Sequence, residues 1–216
     1  MIEAKGLTKV YGTQTILKDV SFVLNPAEIL IITGDNGVGK TTLLSILATM
    51  TKPTAGDILL QGKSLIDEPR QAIGKVAYIP QGIMLNMNLS TMDTLCFWAA
   101  VNKLDKKATA IECERLIKLL NLQPFLKTKI KHLSAGTKRR VNIAVSLFMK
   151  PQYLLMDEPT AGLDSPSRME LIDFTKHLAE SGTAVVYVTH LQDEIPMLGE
   201  NIKLLKLIPC SNGSGL

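Results

Sequence analysis

Cysteine is scarce in this sequence. Its 216 residues hold three, Cys96, Cys113 and Cys210, widely spaced, odd in number and without a CxxC pair or His–Cys cluster beside them. That excludes a disulfide framework or a zinc site as the organising element and points to a reducing compartment, the cytoplasm. Long apolar runs are missing as well. The stretches at 29–32 and 153–156 are strand-length, far short of the roughly 18 residues that read as a membrane span, so a role at a membrane calls for another polypeptide to cross it. The first residues, Met1-Ile2-Glu3-Ala4-Lys5, lack the charged-then-apolar run of a signal peptide. No internal repeat or low-complexity linker divides the chain. Nor is charge concentrated: 24 basic and 20 acidic residues leave a net +4, scattered, with Lys138-Arg139-Arg140 the one tight triplet. Nucleic-acid binders more often carry a basic stripe or arm. An ordinary solvated surface is the reading here, and no nucleic-acid partner is expected.

What the chain does have is enough apolar residue, 46% against 20% charged, to build a core unaided. A single domain is expected over residues 1–210, followed by a small polar, flexible tail at 211–216. Short β-rich runs at 3–10, 16–24 and 29–33 open the sequence. A helix should then run from Gly39 and end by Lys52, because Pro53 cannot continue it. Strands return at 57–61 and 76–79. The middle, about 90–150, reads as helical. Ser90 and Asp93 have capping-box spacing, a second helix starts after Asp105, and a third carries the stripe Val141, Ala144, Val145, Phe148 and stops before Pro151. Then α/β alternation resumes, with buried strands at 153–156 and 184–188. Between them lies a helix with Ser165 as N-cap, Pro166 first inside and Gly182 closing it. A short helix and a strand near 202–207 follow. Apolar strands alternating with helices indicate a parallel sheet covered on both faces.

Three motifs carry chemistry. Gly34-Asp35-Asn36-Gly37-Val38-Gly39-Lys40-Thr41-Thr42 fits G-x-x-x-x-G-K-[ST] between an apolar strand and a helix, the context of a P-loop. Its glycines let successive backbone N–H groups curl round phosphates at a helix N-terminus. Lys40 would reach the β- and γ-phosphates, and Thr41 would offer its hydroxyl to Mg²⁺. A ligand-free glycine turn is the bland alternative, but chance produces this pattern in only about one chain in a hundred of this length. Leu154-Leu155-Met156-Asp157-Glu158 is an apolar strand ending in two carboxylates, where α/β proteins bind ligands. Alone it would be a solvated turn. Beside a P-loop, Asp157 suits the Mg²⁺ shell and Glu158 the attacking water. Leu133-Ser134-Ala135-Gly136-Thr137 precedes the third helix of the middle region. An N-cap serine opening a core helix is its plain reading.

That last segment resembles the ABC signature, usually L-S-G-G-Q, with Ala135 and Thr137 as departures and Arg140 where the family has arginine. By this resemblance Ser134 to Thr137 would contact the γ-phosphate held by a partner subunit's P-loop. Four more positions agree in chain order. Tyr11 resembles the aromatic that stacks on adenine. Gln81 resembles the Q-loop glutamine that contacts Mg²⁺ and senses the γ-phosphate. Asp164, in Ala161-Gly162-Leu163-Asp164, resembles the D-loop aspartate, and His190 the switch histidine. Each is weak alone; together they span residues 11–190 in one order.

The resemblance implies a P-loop NTPase fold of the ABC nucleotide-binding type: a RecA-like α/β core, an N-terminal antiparallel β subdomain and a helical subdomain inserted at about 86–150. It implies ATP and Mg²⁺, a homodimer or heterodimer of ATPase subunits, and Glu158, His190 and Gln81 as catalytic residues. Integral membrane permease subunits would be its partners, with the chain peripheral on the cytoplasmic face. The segment 82–89, with Met92, Leu95 and Trp98 beyond it, suits a docking groove for the permease or the helical subdomain's own core equally well. A non-transport ABC ATPase, such as an iron–sulfur-assembly type, shares every motif. A regulatory subunit with weakened catalysis would fit the altered signature, though Glu158 and His190 argue against it. A P-loop kinase or GTPase has no reason to carry the signature.

Overall fold

The computed structural model describes residues 1–210; the tail at 211–216 lies outside the described residues. Ile2–Tyr11 (β1), Gln14–Leu24 (β2), Ala55–Leu60 (β4) and Lys63–Ser64 (β5) pair antiparallel in the order β2-β1-β4-β5. Ile29–Thr33 (β3), Val76–Ile79 (β6), Tyr153–Asp157 (β7), Ala184–Val188 (β8) and Ile202–Lys206 (β9) make a second sheet, parallel throughout, in the order β6-β7-β8-β3-β9. Five α-helices stand among the described residues: Lys40–Leu47 (α1), Thr91–Val101 (α2), Lys106–Leu119 (α3), Ala135–Ser146 (α4) and Ser165–Glu180 (α5).

The two-residue period of the strands divides the apolar residues of the parallel sheet between two cores. Leu30, Ile32, Tyr153, Leu155, Val186 and Val188 turn to one side, where they pack with α1 and the antiparallel sheet through Leu43, Leu44, Ile2 and Leu7. Their neighbours Ile29, Ile31, Leu154, Met156, Val185 and Tyr187 face the other side and pack with α2 to α5 through Leu95, Leu116, Val141 and Ile172. β3, β7 and β8 are buried along their whole length, so they read as unbroken apolar runs. Helices α2, α3 and α4 all lie between β6 and β7, adjacent strands of one sheet.

Side-chain caps set the helix starts. The Ser90 hydroxyl accepts from the Asp93 N–H at 3.1 Å and the Asp93 carboxylate accepts from the Ser90 N–H at 3.3 Å, the reciprocal box that their spacing predicts. Asp105 caps α3 by accepting from the Ala108 N–H at 2.8 Å. Replacing Ser90 by Ala is expected to lower unfolding stability by about 1 kcal/mol. Chemical denaturation would read this, and an unmoved midpoint would show that water satisfies the α2 terminus equally well.

Helix α1 ends at Leu47, inside the limit that Pro53 sets, because Thr49 adopts a left-handed φ of 59° and the N–H groups of Thr49 and Met50 turn back to Ile46 and Ser45. Three expectations shift. Phe148 lies past the end of α4. The cap of α5 is Asp164, not Ser165: its carboxylate accepts from the Ser167 N–H at 2.8 Å, and Pro166 becomes the second helical residue. A carboxylate at a helix N-terminus satisfies the backbone and meets the helix dipole together. After β8 the chain makes two short 3₁₀ turns, Gln192–Glu194 and Pro196–Leu198, in place of a short helix.

Candidate functional site

The segment Gly34 to Thr42 leaves β3 and opens α1. At the helix entrance Gly39 takes φ 104°, and a Cβ there would stand 2.9 Å from both the Ile16 and Leu17 side chains. Only glycine fits. No acidic residue occupies the first turn of α1, which leaves its N–H groups and partial positive charge for an anion. The Lys40 ammonium donates to the carbonyls of Gly34 and Asp35 at 2.8 and 3.0 Å. Val38 turns inward as part of the core, so the segment presents backbone there rather than a side chain.

The carboxyl ends of the neighbouring strands supply the rest. Asp157 ends β7, is buried, and accepts on one oxygen from the Thr41 hydroxyl at 2.8 Å and the Tyr78 hydroxyl at 3.2 Å. Burial, with Asp157 nearby, pushes the Tyr78 phenol up and keeps it a proton donor. Glu158 follows with a left-handed φ of 44°, a sparsely populated conformation for a non-glycine residue. Its carboxylate accepts from the Gln81 amide at 3.2 Å and lies 3.2 Å from Nδ1 of His190. Tyr11 ends β1, half exposed, with the Lys9 ammonium 4.8 Å above its ring. Tyr11, Asn36, Gly37, Gly39, Lys40, Thr41, Thr42, Gln81, Glu158 and His190 all line one cleft of about 620 Å³.

Ser134, Ala135, Gly136, Thr137 and Asp164 do not reach that cleft. Ser134 caps α4, accepting from the Thr137 N–H at 3.2 Å, and its hydroxyl lies 2.9 Å from that of Thr137. Thr137 is buried and accepts from Arg140 at 3.3 Å. Gly136 packs against the start of α5, where a Cβ would come within 2.6 Å of the Ser167 hydroxyl. Asp164 is held below the usual carboxylate range by its hydrogen bonds from Ser167. The segment 82–89 and the helix beyond it divide between buried and exposed side chains. Leu95 is fully buried and Met92 and Trp98 pack on the core, while Met84 is 71% exposed and Phe97 stands 54% exposed beside them.

Three side chains here escape sequence reasoning. One is Tyr78. A second is Glu194, fully buried, whose carboxylate accepts from the hydroxyls of Thr160 at 2.6 Å, Thr189 at 2.7 Å and Tyr187 at 3.2 Å. It thereby ties the turn after Glu158 to the residue before His190. The third is Arg139, expected on the surface as part of a charged triplet and in fact 4% exposed. Two residues before Val141, it lies off the stripe of 141, 144, 145 and 148, and nothing in the sequence marks it as buried.

The family model described as ABC transporter matches residues 17–161. The linearmycin resistance ATP-binding protein of Bacillus subtilis is 33% identical over 205 residues, covering 95% of this chain and 66% of that protein. The molybdate/tungstate import ATP-binding protein of Thermococcus kodakarensis is 36% identical over 206 residues, covering 95% of this chain and 62% of its own length. The chain therefore spans less than two thirds of the length of these relatives. Among solved structures, a dimeric ATP-binding cassette in a post-hydrolysis state, bound to ADP and Pi, aligns with a TM-score of 0.81 at 28% identity, covering 96% of each chain.

Proposed function

The chain belongs to the ABC transporter family, and from that premise we propose that it binds and hydrolyses ATP as the nucleotide-binding subunit of a transporter whose membrane-crossing part lies on other polypeptides. One observation carries the reading: the phosphate-binding turn, Glu158, Gln81 and His190 converge on a single cleft with Tyr11 at its rim, and the buried Asp157 meets it through the Thr41 hydroxyl. The triphosphate would lie along Gly34 to Thr42, on the N–H groups of the turn and the α1 terminus. Lys40, now satisfied by two carbonyls of its own loop, would exchange them for phosphate oxygens. Tyr11 offers a flat face for the base.

The family implies Mg²⁺, and the residues fit it. Thr41 and Asp157 already share a hydrogen bond through hard oxygen atoms, a set suited to an ion that takes its other ligands from phosphate and water. Gln81, one hydrogen bond from Glu158, would complete the shell. When bound, Mg²⁺ neutralises charge on the β- and γ-phosphates. Glu158 holds the attacking water and receives its proton, while His190 and Gln81 fix that carboxylate from two sides.

Ser134 to Thr137 lie away from this cleft and would serve a second subunit's nucleotide in a dimer, identical or different. Asp164 would lie in the segment passing between them. Among the described residues no helix is long and apolar enough to cross a membrane. The exposed Met84 and Phe97 would meet the permease at the cytoplasmic face, making the chain peripheral there. Residues 1–210 would act as one domain, the insert at about 86–150 moving against the core.

The test is phosphate release from MgATP by the purified chain, with chelator as control, beside nucleotide titration of Lys40→Met. Chelator-sensitive turnover is expected in the wild type, and Lys40→Met should weaken ATP binding roughly tenfold, the loss of one charge-assisted contact worth about 1.5 kcal/mol or more. Equal affinities for wild type and variant would remove Lys40 from the phosphate site and sink the reading.

A further inference from the structure

Arg139 sits one turn into α4, nine-tenths buried, and among the described residues no carboxylate pairs with it. Its guanidinium instead donates to two successive backbone carbonyls, Pro80 at 2.9 Å and Gln81 at 2.6 Å, while Nε is buried without a partner. Burial pulls the guanidinium down from its ordinary pKa, and the charge of Asp157 partly offsets this. Two carbonyls could be satisfied by water or a neutral amide at far lower desolvation cost. What arginine adds is a rigid planar fork. The two carbonyls belong to the peptide groups on either side of the Gln81 Cα, so the fork fixes the backbone of that residue. The next residue, Gly82, has nothing within 4 Å of a Cβ position and leaves the chain free to pivot there. At the other end of the same helical turn stand Ser134, which caps α4, and the buried Thr137.

We propose that Arg139 is a positioning residue that couples the Gln81 peptide groups to the first turn of α4. A shift of Gln81 on filling of the chain's own nucleotide cleft is thereby carried to Ser134, which faces away from that cleft. The proposal rests on the ATP reading above. It gives the chain a mechanical link between the site it fills and the segment it would present to a second subunit.

Hydrogen exchange with and without MgATP tests it on wild type, Arg139→Lys and Arg139→Met, with melting temperatures and steady-state turnover alongside. In the wild type MgATP should slow exchange at both 34–42 and 134–140. In Arg139→Met the response at 34–42 should remain and that at 134–140 disappear, with kcat falling roughly tenfold and KM for ATP within about twofold. Arg139→Lys, whose ammonium reaches one carbonyl, should recover part of kcat. In a Gln81→Ala background the Arg139→Met substitution should cost little more. Should Arg139→Met fail to fold, Arg139→Lys decides through the same two segments. A normal response at 134–140 in a folded Arg139 variant, or losses that multiply with Gln81→Ala, overturns the coupling while leaving the ATP reading intact. No wild-type response at 34–42 removes both.

Discussion

Glu158→Gln is expected to abolish turnover while leaving ATP bound. The amide keeps the volume of the side chain and can still meet Gln81 and His190, both 3.2 Å from the carboxylate, yet it cannot take a proton from water. A general base contributes roughly a hundredfold to ten-thousandfold, so kcat should fall at least a hundredfold with little change in nucleotide affinity. A chain that binds ATP but does not cleave it should also accumulate as a dimer, which size exclusion in MgATP would show. Turnover within tenfold of wild type would mean that another group accepts the proton and that the strained φ of Glu158 serves only the turn. An inactive variant that remains monomeric with ATP would separate catalysis from assembly.

The second large effect concerns stability. Glu194→Ala would orphan the hydroxyls of Thr160, Thr189 and Tyr187 at once and leave a void at a fully buried position. With about 1–2 kcal/mol for each lost bond to a carboxylate, partly recovered by water entering the void, a destabilisation of about 3–4 kcal/mol follows. For a chain of this size that lowers the melting temperature by about 10 °C. Glu194→Gln keeps shape and one carbonyl acceptor, so it should lose much less. Because the same carboxylate anchors the residues next to Glu158 and His190, even folded Glu194→Gln should turn over more slowly than wild type. Equal melting curves for wild type and Glu194→Ala would show that the three hydroxyls find partners without it.

These two residues also mark what can be read from sequence and what cannot. The turn Gly34 to Thr42 is legible because one continuous stretch of backbone makes it, and the capping box at Ser90 and Asp93 because its partners stand three residues apart. The strands announce themselves by apolar runs without polar interruption, which burial on both faces requires. The α5 start misses by one residue since Asp164 and Ser165 both make good caps, and only the hydrogen bond to Ser167 decides. Arg139 and Glu194 are illegible for another reason. Their partners Pro80 and Thr160 lie 59 and 34 residues away, and in sequence each looks like one more charged surface residue. The departures Ala135 and Thr137 gain meaning only in space, where the Thr137 hydroxyl turns inward to Ser134 and Arg140.

The strand order carries a consequence for how the protein is made. β3, which launches the phosphate-binding turn, lies between β8 and β9, and its first hydrogen-bonded neighbour, Val185, follows Ile29 by 156 residues. At about 5–20 residues per second a ribosome needs roughly 8–30 s to cover that distance. Through that interval the early strand has no ladder partner, and a chain interrupted before β8 cannot hold the turn in shape. Nucleotide capture thus reports a chain extended past β8, and a nascent chain paused in its helical middle has an unpaired apolar strand for chaperones to shield.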